Sequence, residues 1–258
     1  MQKISIIIPA YNEEKRIGKT LEAYSNYFKS LWKRKEIDYE ILVSINNTKD
    51  RTKEIVRYCI EKDKKIKYLD LVNGGKGYAI IEGFKDSLKR DNDLIGFVDA
   101  DMATSPEEYY KLIKNIKNYD GVIASRYLKG SIVEPKNTLS RIMASRVYNV
   151  LIRSLFLMPY RDTQCGAKVF SQKALKRIVE NVGMTKFAID VEIIHKIRKE
   201  GFRIKESPTR WSDREYSTIN FWQSGPWMAL AVIRLRILSS PLKKFIRIYD
   251  KFIGFVPK

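Results

Sequence analysis

The sequence has few cysteine, histidine and acidic residues. Its 258 residues include two cysteines, Cys59 and Cys165, a single histidine, and 30 Asp and Glu against 49 Lys and Arg. Two distant cysteines argue against a disulfide framework and a zinc site, so we expect two buried, reduced thiols and a cytoplasmic setting. The shortage of acidic residues leaves a formal net charge of +19, which favours anionic partners such as nucleic acid, phosphorylated ligands or lipid headgroups.

Long uninterrupted apolar runs are also absent. Residues 139–160 and 221–242 are rich in Trp, Phe, Leu and Met, but arginines interrupt both before they reach the roughly 20 apolar residues that a membrane-spanning helix needs. We therefore expect neither to cross a bilayer, and the N-terminal residues show no signal-peptide pattern. Periodicity leaves two interpretations open: ordinary core helices, or amphipathic helices in the membrane interface at about 139–158 and 221–250. The basic, amphipathic tail favours the interface.

Short β-branched segments alternate with longer amphipathic ones in the first half of the chain. This alternation predicts an α/β fold with a mostly parallel central sheet flanked by helices. We expect the first helix to begin at Asn12 as its N-cap, with Glu13 and Glu14 in the first turn. A later helix is expected to have Ser105 as its N-cap and Pro106 at its first position. The predicted strands cover 4–10, 39–45, 66–71, 93–101 and 119–127.

Polar residues follow several of these strands at the point where each ends. Asp99 and Asp101 stand one residue apart at the end of the run GFVDAD. Carboxylates at this spacing can share one turn and bind a hard divalent cation together with substrate phosphates. Asp-x-Asp is also a common turn and capping pattern, so the pair alone leaves both interpretations open. Polar or glycine-rich loops at 9–13, 46–52 and 74–77 follow other strands, and ligands bind at the carboxyl ends of strands in open α/β sheets.

Seven segments occur in an order typical of one family: IIIPAYNEEKRI, NGGKGYAI, VDADMAT, ASRY, RDTQCGAKVF, FAIDVE and IRLRIL. With these motifs, from Ile4 to about Leu238, the chain resembles the family 2 glycosyltransferases of GT-A fold. More narrowly, it is similar to the dolichyl-phosphate glucose synthases, also called dolichyl-phosphate beta-glucosyltransferases, which are relatives of the mannose synthases. The stretch DTQCG followed by FAIDVE is far more specific than Asp-x-Asp.

The resemblance implies a single GT-A catalytic domain over residues 1–258 that acts as an inverting glycosyltransferase. It implies transfer of a hexose, with UDP-glucose as the favoured donor, to the phosphate of dolichyl or another polyprenyl phosphate. It also implies Mg or Mn as cofactor and peripheral binding to the cytosolic face of a membrane. Other donors on the same lipid, UDP-N-acetylglucosamine or GDP-mannose, and a non-catalytic membrane-surface relative stay open as alternatives.

The resemblance also implies a nucleotide pocket formed by Pro9, Tyr11 and Glu13. The tyrosine would stack on the nucleotide, and the carboxylate would accept a hydrogen bond from it. Where many family members carry an acidic pair after the second strand, this chain has Ile45 and Asn46. A carboxylate contact to the base is therefore expected to be either lost or replaced by a contact from Asn46.

The chemistry of a lipid phosphate agrees with this implication. The second pKa of a phosphate monoester is about 6, so the acceptor is already a nucleophilic dianion and needs no general base. The leaving nucleoside diphosphate does need stabilisation, which a divalent ion held by Asp99 and Asp101 would provide. Lys76, between two glycines, is expected to neutralise a donor phosphate. We expect His195 to be structural.

Two arginines match residues that the family uses on the acceptor phosphate. Arg126 in ASRY and Arg141 in LSRI would each bind two phosphate oxygens with one planar guanidinium. Arg141 equally suits a position at the membrane surface, where its side chain reaches out to water. Asp190 is expected to orient a sugar hydroxyl or to hold a loop. Three further polar residues keep open roles, namely Asp162, Gln164 and Arg214.

Nucleic-acid binding is the main alternative that the charge raises. The net charge of +19 and the 15 tyrosines suit it. The lysines, however, are scattered over predicted helix faces and do not form one basic strip with aromatic residues. We therefore expect no nucleic-acid partner.

Overall fold

A computed structural model describes residues 1–135, 139–183, 188–212 and 221–253, with the side chains of 139–141, 221–224, 252 and 253 left out. The strands are β1 Gln2–Ala10, β2 Ile37–Asn46, β3 Ile66–Leu71, β4 Leu94–Val98, β5 Gly121–Ser125, β6 Ile132–Glu134, β7 Ala167–Ser171, β8 Ile204–Pro208 and β9 Arg210–Ser212. The helices are α1 Ile17–Lys33, α2 Thr52–Lys62, α3 Lys76–Leu88, α4 Pro106–Lys114, α5 Leu139–Phe156, α6 Gln172–Ile178, α7 Ile189–Lys199, α8 Phe221–Leu238 and α9 Ile246–Ile253. Short 3₁₀ turns cover Val179–Asn181 and Pro241–Phe245.

The main sheet has the strand order β3-β2-β1-β4-β7-β5-β8. The four neighbouring strands β3, β2, β1 and β4 are parallel to one another, and β5 pairs with β8 in parallel. Strand β7 lies antiparallel between β4 and β5. The predicted α/β class with a mostly parallel sheet is confirmed. The chain moves outward from β1 through β2 to β3 and then returns to β4 on the other side of β1. Such a reversal opens a crevice at the carboxyl ends of β1 and β4, where open α/β sheets bind ligands.

The strand residues alternate between two apolar cores. In β1, Ile4, Ile6 and Ile8 belong to the core that α1, α2 and α4 cover, whereas Ile7 belongs to the core that α3, α5 and α7 cover. Because successive side chains of a strand point to opposite faces, a strand buried on both faces reads as a continuous apolar run. This explains why the segment ISIII, which is apolar except for the buried Ser5, identifies β1 directly.

The predicted start of the first helix is wrong. Helix α1 begins at Ile17, and Asn12 has a φ of 52°, in the left-handed region that asparagine tolerates. The backbone N–H groups of Asn12, Glu13 and Glu14 donate to side chains between the end of β2 and the first residue of α2, namely Thr48, Thr52 and Asp50. These long-range contacts satisfy N–H groups that the first turn of a helix would leave without an intrahelical partner. The two glutamates therefore lie in the turn that follows the carboxyl end of β1 and not in a helix.

The predicted start of α4 is confirmed. Ser105 is the N-cap, and its hydroxyl accepts a hydrogen bond from the Glu108 backbone N–H at 3.4 Å. Pro106 occupies the first helical position, where a missing N–H has no cost. This helix follows directly after the Asp99 to Asp101 turn and so helps to place it.

The second half of the chain departs most from expectation. Strands β6 to β9 were not anticipated, because they are short and β7 carries a lysine among its apolar residues. The helix expected over 221–250 is broken at Pro241 into α8, a 3₁₀ turn and α9. Helix α5 covers most of its predicted range. None of the helices in the described part of the chain has the length and apolar character needed to cross a bilayer.

Candidate active site

The carboxyl ends of β1, β2 and β4 bring together the residues expected to bind a nucleotide. Pro9 is buried near the end of β1, and Tyr11 follows it with 54% of its surface exposed. Asp99 is the first residue after β4, and Lys76 is the first residue of α3. The structure therefore places residues from separate segments of the chain at the crevice between β1 and β4.

Asp99, Asp101 and Lys76 form a charged cluster in this crevice. The Lys76 ammonium lies 2.5 Å from Asp99 Oδ1, and Asp101 Oδ1 accepts a hydrogen bond from the Ala103 backbone N–H at 2.9 Å. Burial and the neighbouring Asp99 charge raise the pKa of Asp101. Burial alone would lower the pKa of Lys76, but Asp99 and other nearby carboxylates raise it, so its ammonium stays charged. The cluster thus has two negative charges held close together and one fixed positive charge.

Gly166 makes room for Asp99. The Asp99 backbone N–H donates to the Gly166 carbonyl at 3.2 Å. A β-carbon added at Gly166 would lie 1.9 Å from Asp99 Oδ2 and 2.4 Å from its Cγ. Only glycine therefore fits beside the carboxylate in this position. Spacing along the sequence did not reveal this requirement, because 67 residues separate the two positions.

The donor set at this edge suits a hard divalent cation. Asp99 and Asp101 supply carboxylate oxygens, which Mg²⁺ and Mn²⁺ prefer, and the Lys76 ammonium shows that a positive charge is accommodated beside Asp99. Within the described ranges, no group of three or more His, Cys, Asp or Glu side chains is arranged to hold a metal ion. The aspartate pair fits an ion that completes its coordination with substrate and water oxygens.

Glu13 is held by Arg16, a residue that the sequence analysis did not single out. Its two carboxylate oxygens accept hydrogen bonds from Arg16 Nε and Nη2, each at 2.7 Å. Burial raises the pKa of Glu13, the Arg16 charge opposes that shift, and Asp101 and Asp99 add to it. The spacing of three residues was the available signal for this pair. A cavity of about 430 Å³ lies beside it, between the loops that follow β1 and β2.

Asn46, the last residue of β2, connects two backbone segments through hydrogen bonds of its side-chain amide. Its Nδ2 donates to the Ala10 carbonyl at 3.0 Å, and its Oδ1 accepts from the Gly75 N–H at 3.0 Å. Only 2% of its surface is exposed. The predicted contact from Asn46 to a base stays a prediction, whereas the observed hydrogen bonds give it a role in positioning Gly75 and hence the start of α3.

Arg126 is bound to Asp162 and is not an isolated cation. Its Nε and Nη2 donate to the two oxygens of the fully buried Asp162 carboxylate at 2.7 and 3.0 Å, and its guanidinium lies 5.3 Å from the centre of the Trp211 ring. Burial alone would raise the pKa of Asp162, but Arg126 lowers it. The structure thus assigns Asp162 a positioning role, and the predicted contact from Arg126 to the acceptor phosphate remains a prediction.

A second buried ion pair was missed. Lys168 of β7 is fully buried, and its ammonium lies 2.5 Å from Asp190 Oδ1 in the first turn of α7. Acidic side chains favour this end of a helix. The signal was available, because a lysine inside the apolar run CGAKVF requires a buried partner.

Four further residues were singled out from the sequence, namely Arg141, Gln164, His195 and Arg214. Arg141 lies in the first turn of α5, but its side chain is outside the described part, as is the whole of Arg214. Gln164 donates its backbone N–H to Asp162 Oδ1, and its side-chain Nε2 is buried without a partner among the described residues. His195 packs against the Phe156 ring with 4.8 Å between ring centres, which agrees with the structural role expected for it.

Comparison with known proteins adds an independent line of support. The family model described as Glycosyl transferase family 2 matches residues 5–179. A dolichyl-phosphate beta-glucosyltransferase of Trichomonas vaginalis is 34% identical over 215 residues, which are 81% of this chain and 66% of that protein. The enzyme of that name from Dictyostelium discoideum is 28% identical over 243 residues, which are 90% of this chain and 73% of that protein.

A solved structure shares the fold. Glucosyl-3-phosphoglycerate synthase from Mycobacterium tuberculosis, in complex with Mn²⁺, UDP and glucosyl-3-phosphoglycerate, superposes with a TM-score of 0.65 at 17% identity. The similarity covers 92% of this chain and 79% of that chain. The expected GT-A fold is therefore confirmed.

Proposed function

Because the chain belongs to glycosyl transferase family 2 and is a glycosyltransferase, we propose that it transfers glucose from UDP-glucose to the phosphate of dolichyl or another polyprenyl phosphate, with inversion. The observation that carries this proposal is the similarity, over 81% and 90% of the chain, to two dolichyl-phosphate beta-glucosyltransferases. The charged cluster at the crevice supports it, because a nucleoside diphosphate is the leaving group.

The crevice residues have distinct roles in this proposal. Asp99 and Asp101 would hold Mg²⁺ or Mn²⁺, which when bound stabilises negative charge on the leaving diphosphate. Lys76, kept protonated by the carboxylates around it, would neutralise a donor phosphate. Pro9 and the exposed Tyr11 ring would border the nucleotide, and Glu13 would accept a hydrogen bond from it.

The acceptor side needs a cation and no base. A lipid phosphate dianion attacks the anomeric carbon directly. Asp162 fixes the Arg126 guanidinium through Nε and Nη2, and Nη1 makes no hydrogen bond to the described residues. That nitrogen would bind the acceptor phosphate, and Arg141 would contribute a second positive charge from the start of α5.

The C-terminal half supplies a surface for the membrane that carries the acceptor. On α5, Met143, Val147 and Val150 follow one another at helical spacing and are 65%, 68% and 57% exposed. The segment from the 3₁₀ turn into α9 exposes Leu242, Phe245 and Ile248 among basic side chains. Apolar residues flanked by lysine and arginine suit the interface of an anionic membrane. We propose peripheral binding to the cytosolic face through these two surfaces, as part of one catalytic unit over 1–258.

Release of UDP by the purified protein tests the proposal. With Mg²⁺ or Mn²⁺ and UDP-glucose, we expect release only when a polyprenyl phosphate is added. Parallel reactions with UDP-N-acetylglucosamine, followed by UDP release, and with GDP-mannose, followed by GDP release, identify the donor. Equal release with a simple sugar alcohol as acceptor would contradict the lipid assignment.

A further inference from the structure

Two helices begin beside the end of β4. Lys76 begins α3 and binds Asp99, whereas Asp190 lies in the first turn of α7 and binds Lys168. Lys168 pairs in register with Phe97 of β4, two residues before Asp99. The Lys168 ammonium also lies 5.1 Å from the centre of the Phe97 ring. Asp190 is therefore anchored next to the charged cluster, although it is distant from it in sequence.

Lys168 leaves Asp190 little freedom. Its ammonium donates to the Cys165 carbonyl at 2.6 Å and to Asp190 Oδ1 at 2.5 Å, and the lysine is fully buried. A buried ammonium without a carboxylate is costly, so this pair holds the Asp190 carboxylate in one orientation. Asp190 Oδ2 makes no hydrogen bond to the described residues and is not sealed from solvent. One carboxylate oxygen is thus held, and the other is open.

The negative charge of the Asp190 carboxylate limits the groups that Oδ2 can bind. A carboxylate repels the phosphates of both donor and acceptor, so the donor group that suits it is a neutral hydroxyl. A hydroxyl donating to a carboxylate forms a strong, charge-assisted hydrogen bond. We propose that Lys168 is a positioning residue, which holds Asp190 so that its Oδ2 accepts a hydrogen bond from one hydroxyl of the transferred sugar. This inference rests on the proposed function. A site built to bind a hydroxyl rejects the analogue that lacks it, so the pair selects the hexose.

A panel of donors tests this inference. Wild-type protein, Asp190→Glu, Lys168→Met and the control Arg90→Met are assayed for UDP release with UDP-glucose and its 2-, 3-, 4- and 6-deoxy analogues. Arg90 forms an ion pair with Glu40 at the amino-terminal edge of the sheet, so its loss affects the fold and not the crevice. We expect the wild-type protein to use one deoxy analogue about 10- to 100-fold less well than UDP-glucose.

The pattern of discrimination, and not the rate alone, decides the outcome. Asp190→Glu moves the carboxylate by one methylene, and Lys168→Met frees it, so both variants are expected to lose discrimination at that same hydroxyl. Asp190→Glu keeps the charge opposite Lys168 and serves as the test if Lys168→Met does not fold. Arg90→Met is expected to lower the melting temperature and to keep the wild-type pattern.

Two results would overturn the inference. One is wild-type discrimination in Asp190→Glu and Lys168→Met. The other is an equal loss of rate on all donors, which a purely structural ion pair would produce. Absence of UDP release by the wild-type protein with every donor would instead contradict the proposed function, so the two failures are distinguishable.

Discussion

The proposed metal-binding role of Asp101 opposes the stability of the fold. Burial and Asp99 raise its pKa, so the folded state holds the Asp101 proton to higher pH than the unfolded state does. As pH rises through that interval, the unfolded state binds fewer protons and the free energy of unfolding falls. At neutral pH the ionised Asp101 carboxylate therefore lowers the free energy of unfolding, and a bound cation would raise it again.

We expect Asp101→Asn to raise the melting temperature by about 2–4 °C, because it removes this repulsion. It should also lower UDP release about 100-fold or more, because the charge that would hold the metal is lost. Thermal melting with and without Mn²⁺ checks both effects: Mn²⁺ should stabilise the wild-type protein and not the variant. Asp91→Asn, at an exposed position, is the control. An equal Mn²⁺ shift in wild-type and Asp101→Asn protein would argue against a metal at Asp101.

Gly166→Ala tests whether Gly166 fixes the position of the Asp99 carboxylate. The new β-carbon would overlap the Asp99 carboxylate, so that side chain must move away from its present position. We expect UDP release to fall at least about 10-fold, since small misplacements at a reacting centre have large effects on rate. Gly18→Ala on α1 is the matched control, because its β-carbon would meet only the Ile55 side chain, at 3.2 Å. Equal activity of the two variants would mean that Asp99 is not held in place by Gly166.

At the scale of elements, the C-terminal helices combine packing with exposure. Tyr249 donates to the Leu230 carbonyl at 2.8 Å, and Arg234 binds Asp250 through two hydrogen bonds, so α9 is attached to α8. This attachment leaves Phe245 and Ile248 exposed. The exposed side chains are thus presented by a fixed surface, which suits docking to a flat partner such as a membrane.

We expect Phe245→Asp to weaken binding to vesicles of neutral and anionic lipid about 10-fold, because it removes an apolar contact and adds a repelled charge. Co-sedimentation measures the effect. Tyr58→Asp on α2 is the control, since Tyr58 is 57% exposed and Phe245 is 47% exposed. If both variants sediment like the wild-type protein, this segment does not contact the membrane.

At the scale of the whole molecule, the net charge of +19 acts on every anionic surface. Exposed charges are screened beyond about 10 Å at 0.1 M salt, so the electrostatic part of the proposed membrane binding would weaken with salt, whereas the part from apolar burial would not. We expect binding to anionic vesicles to fall about 10-fold or more between 0.05 and 0.5 M NaCl, and binding to neutral vesicles to change little. Vesicle sedimentation across this range checks the expectation. Salt-independent binding to anionic vesicles would mean that the charge excess has no part in it.

Local patterns in the sequence determined a large part of this protein. The apolar runs of β1 and β4, the Ser105 and Pro106 helix start, and the turn at Asp99 and Asp101 were all predicted from neighbouring residues. Such features depend on interactions between residues close in the chain, which sequence displays directly. Motif resemblance then identified the family, because it compares residues and needs no geometry.

Only the tertiary structure decided how the crevice is assembled. The α1 start follows from contacts between Glu13 and Thr52, and β7 enters the sheet antiparallel between β4 and β5. The partners of Arg126 and Lys168 lie 36 and 22 residues away along the chain. A buried charge must find a partner, but the chain alone does not say which one, because strand order and helix packing bring distant residues within a few ångströms.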